Sequence, residues 1–168
     1  MAKSTQERNT TLVLQVFDLL FNKRDYAAAE KHWSPHYIQH SAHIAPGREG
    51  LFDLIKSLPP TLKYEPGMIV AEGDLVIVHG RFSGFGAPVN WIAADILRIQ
   101  DGILVEHWDV IQDEVTIDQS KSGCPCSRTY FQNALRLRIG LRQIAQANLL
   151  SRCPGFRTGH ERLRLSVK

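Results

Sequence analysis

The sequence has little of what secreted, membrane-spanning or nucleotide-binding proteins need. Its 168 residues include only three cysteines, an odd and sparse set that gives no disulfide framework. No segment approaches the roughly 18 consecutive apolar residues of a membrane-spanning helix, and the N-terminus lacks the basic and apolar regions of a signal peptide. A glycine-rich dinucleotide fingerprint and a phosphate-binding loop are also missing. We therefore expect a cytoplasmic protein with no membrane span and no nucleotide cofactor.

Charge is distributed unevenly along the chain. The net charge is +3, but residues 128–168 contain nine basic residues against Glu161 alone, so the rest of the chain is net acidic. Such a basic tail could bind nucleic acid or an anionic membrane. It has few aromatic residues and no binding motif, so we do not expect a nucleic-acid partner. We divide the chain into a domain over residues 1–118 and an atypical basic C-terminal extension over residues 119–168. The sequence leaves open whether that extension folds or is partly disordered.

The first 60 residues have helical periodicity. Apolar side chains recur at helical spacing over residues 5–22 and would form one buried face. Asp25 is a candidate cap for a second, short helix that continues through Trp33 and that Pro35 would end. A third helix is predicted over residues 48–58, between Gly47 and a pair of prolines.

The pattern changes to that of strands after residue 61. Residues 62–71, 75–83, 89–99 and 103–112 are rich in β-branched and aromatic side chains. Gly73-Asp74 and Asp101-Gly102 separate two pairs of these strands, as expected for tight hairpins. Helices followed by an antiparallel meander indicate an α+β domain. A curved sheet that closes over helices would leave a cavity suited to a small ligand.

Two stretches of the chain carry a family resemblance. The first comprises residues 37–40 (YIQH) and 44–50 (IAPGREG), and the second comprises residues 94–99 (ADILRI) and 105–112 (VEHWDVIQ). In order and spacing they resemble the SnoaL-like polyketide cyclase family, which is part of the nuclear transport factor 2-like superfamily. The resemblance covers roughly residues 8–123.

This resemblance implies a cone in which a curved antiparallel sheet wraps over N-terminal helices, commonly as a homodimer through the outer sheet face. It also implies a pocket for a small organic molecule, with acid/base side chains and no metal or organic cofactor. Known relatives include ester cyclases, ketosteroid isomerases and dehydratases, and some relatives are not enzymes. The ester cyclases have an acidic residue four positions after the tryptophan of the last strand. This chain has Gln112 there, with acids at Asp109 and Asp113, so the family does not fix the reaction.

Asp95 is the first candidate for acid/base chemistry. It lies within a predicted strand, where aspartate is disfavoured. Alternation places it on the same face as Ala93, Leu97 and Ile99, which we expect to face inward. A buried carboxyl group has a raised pKa and can exchange a proton near neutral pH. The alternative is a structural carboxylate paired with an arginine or lying in a dimer interface.

Asp109 is the second acidic candidate, and its orientation depends on its neighbour. Adjacent strand residues face opposite ways, so Trp108 and Asp109 cannot both enter the pocket unless a bulge intervenes. If Trp108 faces inward, Val110 and Gln112 do so as well, and His107 and Asp109 face the outer side of the sheet. The sequence leaves both orientations open.

Two histidines and a glutamine extend the predicted site. His79 lies in a predicted strand and could exchange a proton near neutral pH, although a lone strand histidine often has a structural role. The resemblance places Gln39 and His40 at the mouth of the pocket. The alternative for these two residues is a loop hydrogen bond that fixes the junction between a helix and a strand.

Aromatic side chains could contact a flat substrate or could simply form the core. Tyr37, Trp91 and Trp108 are the candidates for such contacts. The catalytic candidates are Asp95, Asp109, His79 and His40, and the substrate-binding candidates are Tyr37, Gln39, Trp91, Trp108 and Gln112.

No metal site is expected. His32, His36, His40 and His43 form a dense run, but their spacing matches neither a zinc finger nor a two-histidine helical site. The leading hypothesis is a cofactor-independent cyclase, isomerase or dehydratase that acts by acid/base chemistry on a carbonyl-containing small molecule or polyketide-type natural product. The alternative hypothesis is a non-catalytic module of the same fold that binds a small molecule.

Overall fold

A computed structural model describes residues 3–126 of the chain, so most of the predicted basic extension, residues 127–168, lies outside the described residues. The helices and strands alternate only near the N-terminus, and the last four elements are all strands. In chain order they are α1 (Thr5–Phe17), a π-helical segment (Asp18–Lys23), α2 (Tyr26–Glu30), β1 (Trp33–Gln39), α3 (Gly47–Ser57), β2 (Lys63–Glu72), β3 (Leu75–Ser83), β4 (Trp91–Gln100) and β5 (Ile103–Asp113).

The first helix begins at a capping box. The Ser4 N–H donates to Glu7 Oε2 at 2.8 Å, and the Glu7 N–H donates to Ser4 Oγ at 3.2 Å. The single helix predicted over residues 5–22 is present as α1 and the π-helical segment that continues it. Its apolar face is buried in the core through Val13, Val16 and Leu20.

The predicted meander of four strands is confirmed. The five strands form one sheet in the order β1-β5-β4-β3-β2, with antiparallel pairing from β2 through β5. Asp101 and Gly102 both have positive φ angles, 51° and 77°, as a type I′ hairpin turn requires. The inner face of the sheet buries Val76, Val78 and Leu97 against the helices, which gives the predicted α+β cone.

Strand β1 corrects the prediction of a helix through Trp33. Helix α2 ends at Glu30, and Pro35 lies within a strand rather than after a helix. β1 is an edge strand, where proline is tolerated because it removes no inner ladder bond, and its register shifts between Trp33 and Ile38. It pairs with β5 in parallel, so the sheet is mixed rather than purely antiparallel.

Two further sequence expectations concern membranes and thiols. Within residues 3–126, every helix is too short or too polar to cross a lipid bilayer. Cys126 is a free cysteine, whereas Cys124 is disulfide-bonded. The small, odd number of cysteines gave no reason to expect a disulfide, and for Cys124 that expectation is wrong.

Candidate functional site

A cavity of about 140 Å³ lies between the inner face of the sheet and the helices. Its walls are mainly apolar and aromatic, which is typical of sites that bind small organic molecules. The apolar wall includes Phe17, Phe21, Leu51, Ile55, Phe82 and Leu97. On one side, the Trp91 ring packs against Phe85, with ring centroids 4.6 Å apart, and near His43 at 5.6 Å. An apolar environment of this kind strengthens the electrostatic interactions of any polar group inside it.

Several ionisable side chains interrupt the apolar wall, and three of them, Asp95, His107 and Asp109, are neighbours on β4 and β5. Asp95 and Asp109 are direct cross-strand partners on β4 and β5, so they project from the same face of the sheet. His107 is two residues before Asp109 on β5 and therefore shares that face. Asp95 and His107 are each only 5% exposed, whereas Asp109 is half-buried. Strand pairing alone thus brings the three groups together.

A chain of hydrogen bonds runs from Asp95 through His107 to β1. His107 Nε2 lies 3.1 Å from Asp95 Oδ1, and His107 Nδ1 lies 2.8 Å from Gln39 Oε1. The second oxygen, Asp95 Oδ2, is buried and has no hydrogen-bond partner among the described residues. The Asp109 side chain, by contrast, makes no hydrogen bond with any residue from 3 to 126. One carboxyl group is therefore anchored, and the other remains available to a ligand.

Burial is the main cause of an altered pKa at Asp95. Loss of hydration raises the pKa of Asp95 above its usual value, and the hydrogen bond from His107 opposes that rise. The nearby Asp109 carboxylate raises the pKa of Asp95 further. Burial also raises the pKa of the Tyr37 hydroxyl, which keeps that phenol neutral. The site therefore favours the protonated form of Asp95 more than water does.

This raised pKa predicts how Asp95→Asn changes stability with pH. The pKa of an unfolded aspartate is about 3.9. Between that pH and the higher pKa of the folded state, Asp95 is protonated to a greater extent in the folded chain than in the unfolded chain. The stability from protonated Asp95 is therefore complete below about pH 4 and is lost as the pH rises through the folded pKa. Asparagine does not titrate, so Asp95→Asn should gain stability relative to the wild type as the pH rises.

Urea unfolding of both proteins at about pH 4, 6 and 8 measures this change in the free energy of unfolding. Asp113→Asn, at an exposed position on β5, is the control that should show no such trend. A difference between Asp95→Asn and the wild type that stays constant with pH would contradict the raised pKa.

Four of the residues predicted from the sequence line the cavity. Asp95, Asp109, Tyr37 and Trp91 do so directly, and Gln39 reaches the cluster through His107. Asp95 is buried with Ala93, Leu97 and Ile99, as alternation predicted.

On β5 the cavity-lining residues are His107, Asp109 and Ile111, so Trp108 does not face inward. His107 was not among the residues predicted from the sequence. Its position two residues from Asp109 was the signal that could have identified it.

The other candidates lie away from the cavity, on the outer side of the sheet. The rings of His40 and Trp108 stack with centroids 4.9 Å apart, and His40 Nε2 contacts Glu106 Oε1 at 2.9 Å. Gln112 is exposed on the same side of β5 as Trp108. His79 lies opposite Ala94 in the ladder, next in register to the inward pair of Val78 and Asp95. None of these four residues is part of the cavity lining.

The arrangement of the three ionisable groups also bears on metal binding. One potential donor atom of each residue lies within 4.8 Å of the others, and carboxylate and imidazole groups are common metal ligands. However, His107 Nε2 already hydrogen-bonds to Asp95 Oδ1, so a cation would have to separate these two atoms. The expectation of no metal stays a prediction, and zinc binding is one outcome of an experiment below.

Comparisons with known proteins agree with this fold. A candidate ketosteroid isomerase from Kribbella flavida DSM 17836 is similar in structure, with a TM-score of 0.58 and 16% sequence identity. The match covers 86% of this chain and 96% of the isomerase chain. A candidate polyketide cyclase from Acidithiobacillus ferrooxidans has a TM-score of 0.55 at 17% identity, over 65% and 91%. At these identities the likeness shows the fold alone.

AclR from Streptomyces galilaeus, a candidate hydroxylase, is more similar in sequence. It is 28% identical, with a TM-score of 0.54 over 64% of this chain and 91% of that one. None of the proteins with curated descriptions matches this chain. Residues 13–107 match the SnoaL-like domain, which is more than half of the chain. The protein therefore belongs to the SnoaL-like domain family, within the nuclear transport factor 2-like fold.

Proposed function

We propose that the protein is a cofactor-independent acid/base enzyme that acts on a small carbonyl compound. The observation that carries this proposal is the pair of facing carboxyl groups on the wall of an apolar cavity. Asp95 is hydrogen-bonded to His107, and Asp109 is free to meet a ligand. Neighbouring carboxyl groups in different environments commonly divide the roles of acid and base.

The two carboxyl groups take different roles in this mechanism. Asp109 removes a proton from the carbon next to the substrate carbonyl, because its oxygens are not engaged by protein groups. Asp95 and His107 share one proton, and Asp95 transfers that proton to the carbonyl oxygen as it becomes an enolate. The carbon–hydrogen electron pair forms a carbon–carbon double bond, and the π pair of the carbonyl moves to oxygen and takes the proton from Asp95. The product of this step is an enol, and Asp109 carries the abstracted proton.

Several reactions can follow from that enol. Return of the proton to a different carbon gives an isomer, attack on a second carbonyl in the same molecule gives a ring, and loss of hydroxide from the neighbouring carbon gives a dehydrated product. The named similarities to a candidate ketosteroid isomerase and a candidate polyketide cyclase support the first two outcomes. The acid/base step is common to all three.

The size of the cavity narrows the substrate. At about 140 Å³, it is comparable to engineered apolar cavities of about 150 Å³ that enclose a benzene-sized ring. The walls are mainly apolar, and Asp95, His107 and Asp109 form a polar cluster on one part of the lining. The substrate that this site fits is therefore a ketone or ester whose enclosed part is one ring and whose carbonyl lies at the carboxyl groups.

Solvent exchange tests the acid/base step without knowledge of the physiological substrate. Monocyclic ketones are incubated with the protein in D₂O, and NMR follows deuterium entering the carbon next to the carbonyl. In the presence of the wild-type protein, deuterium should enter at least the ketones that the protein binds faster than it does in buffer alone. Binding without accelerated exchange would overturn the proposal in favour of the non-catalytic binding module.

We also propose that the protein forms a homodimer through the outer face of its sheet. An apolar row crosses four strands in register: Val70 pairs with Ile77, Ile77 with Ile96, and Ile96 with Trp108. Val110, on the same face, is 69% exposed, and Val70 is 62% exposed. Contiguous apolar patches of this kind usually mark an interface, and the same face of a second copy can cover it in a symmetric dimer.

Val110→Glu tests this interface. A charge at the centre of the apolar face would have to be buried without a partner, which is costly enough to weaken the dimer strongly. Sedimentation velocity should show a dimer for the wild type and a monomer for Val110→Glu. Val89→Glu, which adds the same charge at another exposed valine outside the sheet, should leave the dimer intact. A monomeric wild type would overturn the proposed dimer.

A further inference from the structure

The side-chain amide of Gln39 has a fixed orientation. The backbone N–H of Ser41 donates to Gln39 Oε1 at 3.0 Å. A backbone amide nitrogen can only donate, so the amide atom that faces it must be the oxygen and not the NH₂ group. This contact assigns the two ends of the Gln39 amide by chemistry.

The same oxygen determines where His107 carries its proton. Gln39 Oε1 lies 2.8 Å from His107 Nδ1, and an amide oxygen can only accept. His107 Nδ1 therefore bears a hydrogen and donates it to Gln39. A neutral His107 then has its lone pair on Nε2, directed at Asp95 Oδ1 at 3.1 Å. Two acceptors at that distance would repel each other, so one proton must lie between them.

From this geometry we infer that Gln39 is a positioning residue: it holds His107 in the Nδ1–H form, so that Asp95 and His107 together retain one proton between Oδ1 and Nε2. The tautomer follows from the contacts alone, whereas its use as the acid of the reaction rests on the proposed function. With Gln39 in place, the pair is the proton donor, and Asp109 is left as the base.

The groups around the pair favour retention of that proton. The carboxylate of Asp109 on β5 interacts unfavourably with a second negative charge on Asp95, and His79 on β3 acts in the opposite direction. Tyr37 on β1 and Tyr64 on β2 also interact with Asp95. Both are buried phenols and carry no charge at neutral pH, so they do not supply the cation that a bare Asp95 carboxylate would need.

Nitrogen-15 NMR of the histidine rings in the full chain tests the inference directly. In the wild type, the His107 Nδ1 resonance should be that of a protonated nitrogen at neutral pH. Gln39→Leu removes the acceptor, so His107 should shift toward the Nε2–H form that donates to an Asp95 carboxylate. Gln39→Glu keeps an acceptor for Nδ1 and should retain the wild-type tautomer. Gln112→Leu, which changes an exposed glutamine on β5, is the matched control and should leave the spectrum unchanged.

Three results would overturn the inference. A wild-type His107 with its hydrogen only on Nε2 contradicts the assignment, as does a Gln39→Leu spectrum identical to that of the wild type. Stoichiometric binding of added Zn²⁺ with coordination through Nε2 would show that a cation, rather than a proton, belongs between the two residues. Since these spectra need no substrate, they can fail or succeed independently of the deuterium exchange that tests the proposed function.

The kinetic counterpart separates positioning from folding. If Gln39 acts through the shared proton, Gln39→Leu should lower kcat and change the pH profile of deuterium exchange, while KM stays close to the wild-type value. Gln39→Glu should recover part of the rate. An unchanged pH profile in Gln39→Leu would show that the residue has only a structural role.

Discussion

Asp109→Asn is expected to lower the kcat of proton removal by about 10²–10⁴-fold, the usual contribution of a general base. Asparagine has nearly the same shape but cannot accept the proton from carbon. Because Asp109 makes no hydrogen bond with the described residues, the substitution breaks no hydrogen bond of that side chain within them. The loss should therefore fall on kcat, with little change in KM. Initial rates of deuterium entry into a ketone that the wild type processes measure both parameters.

The matched control is Asp113→Asn. Asp113 lies on the same strand and is exposed outside the cavity lining, so its loss changes the charge equally without removing the proposed base. This variant should retain the wild-type rate. Full activity in Asp109→Asn would reject Asp109 as the base, and equal losses in both variants would attribute the effect to net charge instead.

The sheet could be predicted from the sequence because its signals are local. Period-two alternation and the turns at Gly73-Asp74 and Asp101-Gly102 fix four strands and their hairpin pairing, and the structure confirms them. Alternation also placed Asp95 on the buried face of β4. On β4 one face ends in Leu97 and Ile99 and the other in Arg98 and Gln100, so the pattern has one consistent solution.

The orientation of β5 could not be predicted in the same way. Alternation specifies which residues share a face, but not which face is inside. On this strand, both faces carry large apolar groups, with Ile111 inward and Trp108 and Val110 outward. An outer face that is itself apolar removes the contrast on which the inference depends. The pairing of Asp95 with Asp109, visible only from the register, resolves the orientation.

Strand β1 was missed because its partner is distant in sequence. It is held by long-range contacts, such as the hydrogen bonds from the Leu104 N–H to the His32 carbonyl oxygen and from the His40 N–H to the His107 carbonyl oxygen, both between 2.8 and 2.9 Å. Parallel pairing leaves no hairpin signal. Without β1, nothing in the sequence connects Gln39 to His107, which is why the hydrogen-bonded chain emerged only from the structure.

Arg24 makes another set of long-range contacts that the sequence does not signal. It lies between the π-helical segment and α2, and it connects this part of the chain to the end of α3. Its guanidinium donates to the carbonyl oxygens of Ile55 at 2.8 Å, Pro59 at 3.0 Å and Leu58 at 3.1 Å. The last carbonyls of a helix have no partner within the helix and carry a partial negative charge. Arg24 Nε also donates to the Tyr26 hydroxyl at 2.8 Å, which holds the guanidinium in place. One cation therefore satisfies several carbonyl groups at the end of α3, beside the cavity.

Arg24→Met should consequently lower the free energy of unfolding by about 3 kcal/mol, since charged hydrogen bonds contribute about 1.5–3 kcal/mol each and water replaces only some of them. Urea unfolding measures the change.

Arg48→Met is the matched control. Arg48 also forms ion pairs, but with the exposed Glu30 and Glu49 at 3.1 and 3.0 Å, so its loss should lower the free energy of unfolding by less than about 1 kcal/mol. Equal losses would contradict this expectation, because they would show that the partly buried carbonyl partners of Arg24 contribute no more than surface carboxylates. A larger loss in Arg24→Met, accompanied by weaker ligand binding, would show that the end of α3 holds the cavity wall in place.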